Sequence, residues 1–187
     1  MPNSPYILIA DCRAGFIFRF NTESLELTKY FDHPLLKPIG TLLIFGVNGL
    51  KLSRGYLYFS NTNQEFVARI KASGAESSLS GTPETVASGM PFDDFIVNES
   101  NGDLYLTAGG EVNSLGFFRE GSGAIVPEIL IGRPNTTELL FSTAAIWAKD
   151  AEGRLLIVPK AGGLNQFTGG NVTGSAGRLC LVHVGEL

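Results

Sequence analysis

The sequence has few of the residue types that build disulfide scaffolds, metal clusters or membrane spans. Its only cysteines, Cys12 and Cys180, lie near opposite ends of the chain. Two buried free thiols are favoured over a disulfide between them, and the pair forms no metal-binding motif. The two histidines are expected to be structural, His33 before a proline in a loop and His183 in the last apolar strand, and the sequence has no histidine-rich metal cluster. No apolar run reaches the roughly 18 residues of a membrane-spanning helix, so no membrane partner is expected.

Signals for nucleic-acid binding and for secretion are also missing. The formal net charge is −4 and no run of lysine or arginine occurs, which argues against a nucleic-acid partner. The first residues lack a basic segment followed by an apolar core, so we expect no signal peptide and, by default, a cytoplasmic location. A small-molecule substrate is the expected partner.

The sequence is rich in glycine and in apolar residues. It contains 23 glycines among 187 residues, and 44% of its residues are hydrophobic. This composition indicates one globular domain with a sizeable core. Because many glycines stand at turn-like positions and few long helix-forming stretches occur, the sequence favours β structure with many short strands.

A strand–turn–strand unit recurs along the chain at near-constant intervals. Its clearest copy runs from Asn48 to Thr62 and turns at Arg54-Gly55. Equivalent positions of the four copies lie 50, 47 and 51 residues apart: Ile7, Leu57, Leu104 and Leu155. A period of about 40–50 residues with several strands per unit is typical of β-propeller blades. A β-sandwich with irregular hairpins is the alternative, but it does not explain the regular spacing.

We therefore predict an all-β fold, a partial β-propeller of about four blades. One incomplete domain covers residues 1–187, with repeat units at about 1–40, 41–90, 91–135 and 136–187. The first unit begins with its second strand, at Tyr6. Each later unit opens with an entry strand, followed by a glycine-containing turn. The predicted entry strands are 48–52, 94–98 and 143–147, and the turns are Arg54-Gly55, Asn101-Gly102 and Glu152-Gly153.

Oxygen-bearing side chains stand at or just before these entry strands. In a propeller the entry strands line the central channel, so these residues are predicted to converge at one mouth, where they could coordinate a hard cation or orient a polar substrate. The alternative is that each caps its own strand by bonding the local backbone. Capping is favoured for Ser142 and Thr143, and both interpretations stay open for Asn48 and Asp93. The full set is Asn48, Asp93, Asp94, Ser142 and Thr143.

Three motifs carry a resemblance to a known family. The Asn48-Gly49-Leu50 entry with its following strand, the Phe92-Asp93-Asp94-Phe95 entry, and Ser142-Thr143 with Leu156-Ile157-Val158 resemble successive blades of SMP-30/gluconolactonase-like six-bladed propellers. The similarity is greatest to a fungal branch of secondary metabolism that includes hetero-Diels–Alderases. Relative to that family the chain looks truncated on its N-terminal side, which would leave open sheet edges able to self-associate.

The resemblance implies a divalent cation at the channel mouth. In lactonase members the ligands are a glutamate of the first blade, an asparagine in an Asn-Gly motif and an aspartate. Asn48 matches that asparagine and Asp93 matches that aspartate, whereas Asp94 replaces a glycine and the glutamate has no counterpart. The implied cofactor is therefore a divalent cation (Ca²⁺, Mg²⁺, Zn²⁺ or Mn²⁺) held by Asn48 and Asp93.

Three functions are compatible with these residues. A hetero-Diels–Alder enzyme would bind an apolar substrate at the mouth, with Asn48 and Ser142 or Thr143 as hydrogen-bond donors and Asp93 and Asp94 as orienting groups. A metal-dependent lactone hydrolase would use Asn48 and Asp93 as ligands and Asp94 as the base. A non-catalytic propeller fragment would bind a ligand or a protein without chemistry.

Overall fold

The fold is all-β, as predicted. The computed structural model describes residues 4–40, 45–74, 78–109, 112–134, 136, 138–148, 155–161 and 177–184. Within these ranges the regular structure is fourteen strands and one short 3₁₀ turn, Pro34–Leu36. None of the helical structure in these ranges is long and apolar enough to cross a membrane. The predicted turn at Glu152-Gly153 lies outside the described residues.

The chain divides into two compact units, Met1–Phe92 and Asp93–Leu187, which are described separately. The first unit contains two antiparallel sheets. The first sheet has three strands, and its first strand begins at Tyr6 as predicted: β1 (Tyr6–Asp11), β2 (Phe16–Asn21) and β3 (Leu27–Phe31). The second has four strands in sequence order: β4 (Val47–Ser53), β5 (Tyr56–Asn61), β6 (Phe66–Ser73) and β7 (Ser78–Ser88).

The hairpin between β4 and β5 shows why these residues form a blade. Arg54 and Gly55 both have positive φ, 53° and 78°, which gives the tight turn whose twist suits two antiparallel strands. The register shifts between Val47 and Leu50, so Asn48 and Gly49 lie at a β-bulge. The sequence predicted the turn from its glycine, but nothing in it indicated the bulge.

The two sheets of the first unit pack face to face. Ile17 from the first sheet, Leu36 from the 3₁₀ turn and Phe59 from the second sheet are fully buried in one cluster. The connection between the sheets is held by Asn61, whose Nδ2 donates to the carbonyl oxygens of Leu35 and Lys37, each at 2.9 Å. Apolar burial of this kind contributes about 25 cal/mol per Å² and is the main source of the unit's stability.

The second unit also contains two antiparallel sheets. The first of them has the order β11-β10-β9-β8, from β8 (Phe92–Val97, which starts on the last residue of the first unit), β9 (Leu104–Ala108), β10 (Ser114–Phe118) and β11 (Glu128–Gly132). The other has the order β12-β13-β14, from β12 (Ile146–Trp147), β13 (Leu155–Lys160) and β14 (Arg178–His183). Leu115, Leu139 and Leu156 are buried in the shared core of the two sheets.

Two of the predicted entry strands have different bounds in the structure. The strand predicted from Asp94 begins at Phe92, so Asp93 and Asp94 lie within it rather than ahead of it. The strand predicted at 143–147 is reduced to Ile146–Trp147, and Ser142 instead forms an isolated bridge to Lys160.

Both cysteines are unpaired and half-buried, in agreement with the prediction of free thiols.

Candidate functional site

A chain of two hydrogen bonds fixes the side chain of Asn48. This residue is half-buried at the β4 bulge, and its Nδ2 donates to Thr62 Oγ1 at 3.1 Å. The Thr62 hydroxyl in turn donates to the carbonyl oxygen of Phe92 at 2.8 Å. Because the threonine proton is used on that carbonyl, the hydroxyl oxygen accepts from the amide nitrogen of Asn48. The other polar atom of the amide is the oxygen Oδ1, which by its chemistry coordinates a cation or accepts a hydrogen bond.

The same anchoring hydrogen bond occurs in two successive blades. In the first unit, the backbone N–H of Gly49 donates to the buried hydroxyl of Ser60 at 2.8 Å. In the second unit, the backbone N–H of Asp94 donates to Thr107 Oγ1 at 3.2 Å, and the Thr107 hydroxyl donates to the Asp94 carbonyl at 3.0 Å. Each bond joins an inner strand to the strand that follows it.

This repetition places Asn48 and Asp93 at equivalent positions of their blades. Each directly precedes the residue whose N–H is anchored by a hydroxyl on the next strand, Gly49 in one case and Asp94 in the other. The hydrogen bonds thus align Asn48 with Asp93 as corresponding positions, in the same way as the sequence repeat does. The convergence of the two side chains at one mouth remains a prediction.

The neighbouring carboxylates Asp93 and Asp94 are both half-buried in β8. The Thr107 hydroxyl bonds both the N–H and the carbonyl of Asp94, which fixes the backbone at this residue. That the two carboxylates act at one site stays a prediction.

Ser142 and Thr143 are in different environments. Ser142 is fully buried, and its hydroxyl lies 3.3 Å from two acceptors, the carbonyl oxygens of Ala108 and Ser114. It therefore joins the ends of β9 and β10 to the last sheet, instead of capping its own strand. Thr143 is exposed, and its backbone N–H donates to the carbonyl of Pro159 at 3.4 Å. Of the two hydroxyls, only that of Thr143 is open to solvent.

The cavity found in the second unit is not formed by the predicted site residues. It has a volume of about 490 Å³ and lies along the outer strand β11. Its lining is mainly apolar, with Arg133 and Glu138 as its charged groups. It combines residues at the start of β10 with residues of β11 and of the segment that follows β11: Val112, Ser114, Ile129, Leu130, Ile131, Gly132, Arg133, Pro134 and Glu138.

Oxygen-bearing side chains are the candidate metal ligands of this site. The described part of the chain contains no group of three or more His, Cys, Asp or Glu residues that could hold a metal ion. Asn48 and Asp93 carry amide and carboxylate oxygens, which are the donors that Ca²⁺ and Mg²⁺ prefer. The donor chemistry of the two residues thus fits a hard cation, and the further ligands would be water or substrate oxygens.

Thr62, Ser60 and Thr107 are the site-supporting residues that sequence reasoning missed. Each lies at or just beyond the end of a second strand, where a hydroxyl is ordinary in sequence terms. The signal that could have identified two of them is the repeat itself, because Ser60 and Thr107 are 47 residues apart, the same interval as Leu57 and Leu104.

Neither the protein-family models nor the curated proteins match this sequence. Solved structures do match its fold. A luciferin-regenerating enzyme is similar over 88% of this chain and 50% of its own, with a TM-score of 0.60 and 12% identity. A calcium-binding protein, regucalcin, from Agrobacterium tumefaciens is similar over 80% of this chain and 45% of its own, with a TM-score of 0.53 and 16% identity.

A gluconolactonase from Xanthomonas campestris is similar over 76% of this chain and 40% of its own, with a TM-score of 0.50 and 17% identity. The chain therefore spans about half the length, or less, of the solved structures it resembles. At these identities the similarity shows the fold alone. The structural neighbours are SMP-30/gluconolactonase-like propeller proteins, and the fold of this chain is that of a partial β-propeller.

Proposed function

We propose that this protein is a divalent-metal-dependent lactone hydrolase of the gluconolactonase type. The observation that carries the proposal is the hydrogen-bond chain from Asn48 through Thr62 to the Phe92 carbonyl. It ends on the residue that directly precedes Asp93. A hydroxyl that fixes the orientation of a side-chain amide positions that amide for a ligand. The structural neighbours add a lactonase of the same fold.

The roles of the residues follow from their chemistry. Asn48 Oδ1 and the Asp93 carboxylate would be the oxygen ligands of the cation, and Thr62 would orient the Asn48 amide. A bound divalent cation would supply polarisation of the lactone carbonyl. Asp94 would accept the proton of the water molecule that attacks this carbonyl, and the ring C–O bond would break to give the open hydroxy acid. Ser142 is assigned no chemical role, because its hydroxyl lies on two backbone carbonyls.

The test is a pH-stat assay of five- and six-membered sugar lactones with Ca²⁺, Mg²⁺, Mn²⁺ or Zn²⁺ present. Wild-type protein should release acid above the spontaneous rate, and Asn48→Ala and Asp93→Asn should each reduce that excess by at least tenfold. Glu23→Gln, which removes an exposed carboxylate from the β2–β3 turn, is the matched control and should be unaffected. Equal rates with and without wild-type protein would overturn the proposal.

A hetero-Diels–Alder function is the second candidate. It is supported by the motif resemblance to the fungal branch and by the presence of a side-chain amide at Asn48, a group of the type that donates to a developing oxyanion. Thr143 is the exposed hydroxyl that could assist it. Phe92 and Phe95 are fully buried, so neither would wall a substrate cavity.

This second candidate is tested with a quinone-methide-type diene and an alkene partner. It predicts that the protein changes the yield or stereochemistry of the adduct, and that Asn48→Ala abolishes the change. An adduct distribution identical to the uncatalysed one would reject it. If the lactone assay is also negative, the remaining interpretation is a propeller that binds a ligand or protein without catalysis.

A further inference from the structure

The first sheet of the first unit has one apolar face that is open to solvent. Direct cross-strand partners share a face, and the register pairs Ile7 with Phe20 and Ile9 with Phe18, while Phe20 in turn pairs with Leu27. Ile7, Ile9 and Leu27 are 52%, 43% and 55% exposed. These five residues, Ile7, Ile9, Phe18, Phe20 and Leu27, are called the first open face. Lys29, which pairs with Phe18, lies on the same side of the sheet.

The last sheet of the second unit has a similar face. Ile157 of β13 pairs with Ile146 on one side and with Leu181 on the other, which places all three on one face. Leu179 lies two residues before Leu181 and shares this face. Ile146, Leu179 and Leu181 are 61%, 72% and 67% exposed. The residues Ile146, Leu155, Ile157, Leu179 and Leu181 are called the last open face. Their neighbours Pro159 and His183, which pair with Leu179 and Leu155, lie on the same side of the sheet.

The opposite faces of the same two sheets are packed. Leu8 and Ala10, which alternate with Ile7 and Ile9 along β1, pack on the core of the first unit. Leu156 and Val158, which flank Ile157, are fully buried in the core of the second unit. Each of these sheets thus has two mainly apolar sides, and only one of the two sides is covered. A sheet with this pattern is made to be packed between two neighbours.

We propose that the first open face of one copy of this chain packs against the last open face of a second copy. One chain carries both faces, and their aliphatic and aromatic composition matches that of the sheet–sheet contacts already buried inside each unit. The length of the chain also supports a second copy as the partner of these faces. The chain matches 50% and 45% of the first-named propeller structures, so two copies together have about the length of one such protein. The contact is heterologous, because it joins two different surfaces.

The test measures the mass of the purified chain by sedimentation equilibrium over a range of concentrations. Wild-type protein should associate beyond the 20.0 kDa monomer. Ile7→Glu disables the first open face and Leu181→Glu disables the last, so each variant alone should associate at least about tenfold more weakly. An equimolar mixture of the two variants should recover association, since each contributes the face that the other lacks.

The mixture separates this proposal from other kinds of association. If the first face paired with itself, Leu181→Glu would still associate as wild type does, and the proposal would be wrong. Ile125→Glu changes an exposed aliphatic residue that belongs to neither face and should associate normally. Thermal unfolding of each variant shows whether it is folded. A wild-type chain that stays monomeric at 100 μM, or a mixture that fails to recover association, would overturn the proposal.

Discussion

At the scale of single residues, the site is defined by hydroxyl groups on neighbouring strands. Thr62 bonds both the Asn48 amide and the Phe92 carbonyl, and Ser60 and Thr107 hold the inner strands of two blades. In the proposed site these hydroxyls act through other residues. Thr62 orients the Asn48 side chain and Ser60 and Thr107 fix the backbone beside Asn48 and Asp93, and a ligand held in one orientation binds more tightly than a mobile one.

Thr62 is therefore expected to act as a positioning residue. Thr62→Val removes both hydrogen bonds while keeping the shape of the side chain. We predict that it lowers the affinity for the cation about 10- to 100-fold by calorimetry. Thr62→Ser keeps the hydroxyl and should restore the affinity. If Thr62 were only structural, the valine variant would unfold at a lower temperature but bind the cation as wild type does.

Asp32 gives a prediction for the dependence of stability on pH. Its carboxylate lies 2.6 Å from Lys37 Nζ and 3.6 Å from Lys29 Nζ. The hydrogen bond from Lys37 and the charges of both lysines lower the pKa of Asp32 below its usual value. A carboxyl with a lowered pKa stabilises the fold above its unfolded-state pKa, and this contribution disappears as the pH falls through the folded-state pKa.

Asp32→Asn should accordingly lower the melting temperature slightly at pH 7, because the group is exposed and well screened. At an acidic pH below the lowered folded-state pKa, Asp32 is protonated in both states, and the variant and wild type should melt at the same temperature. Thermal unfolding followed by circular dichroism measures both values, and Glu23→Gln controls for net charge. The same difference at both pH values would contradict the ion-pair explanation.

At the scale of elements, glycine turns and close approaches set where strands end. Gly132 closes β11 with φ of 87°, and a Cβ built there would clash with the Asn113 carbonyl and lie 2.9 Å from Ser114 Cα. Gly55 has a similar φ of 78° in the β4–β5 turn, but a Cβ there would meet nothing within 4 Å. The two glycines thus have similar backbone conformations but differ in the room that is available for a side chain.

This difference predicts unequal costs for the same substitution. Gly55→Ala should lower the free energy of unfolding by about 1 kcal/mol, the penalty of a side chain in the left-handed region. Gly132→Ala adds a steric clash with backbone atoms and should cost about 2–4 kcal/mol. Urea unfolding of both variants measures the values. Equal losses would show that the neighbouring Asn113 backbone moves aside at little cost.

The elements that could be predicted are those with local causes. The Arg54-Gly55 turn followed from its glycine, and the strand from Tyr56 followed from its aromatic and apolar residues. The bulge at Asn48-Gly49 and the shortening of the entry strand to Ile146–Trp147 could not be predicted. Both depend on pairing with distant residues, and the Ser142 bridge to Lys160 replaces the strand that was expected there.

At the scale of the whole molecule, the repeat predicted the fold class and the equivalence of Asn48 with Asp93. The spacing of the units is a property of the sequence and needs no knowledge of contacts. The support of Asn48 by Thr62 was not predictable, because that hydrogen bond joins side chains 14 residues apart and continues to a carbonyl 30 residues further on. The sequence period reveals which positions of the blades correspond, but it does not reveal which side chains form hydrogen bonds to the residues at those positions.

The central claim is that Asn48 and Asp93 are ligands of a divalent cation, and calorimetric titration of the purified chain tests it most directly. Ca²⁺, Mg²⁺, Mn²⁺ and Zn²⁺ are titrated into wild type, Asn48→Ala, Asp93→Asn and the control Glu23→Gln. We predict saturable binding of at least one of these ions by wild type and the control, weakened at least tenfold in both site variants. Absence of binding by wild type, or binding that neither site variant weakens, would contradict the claim.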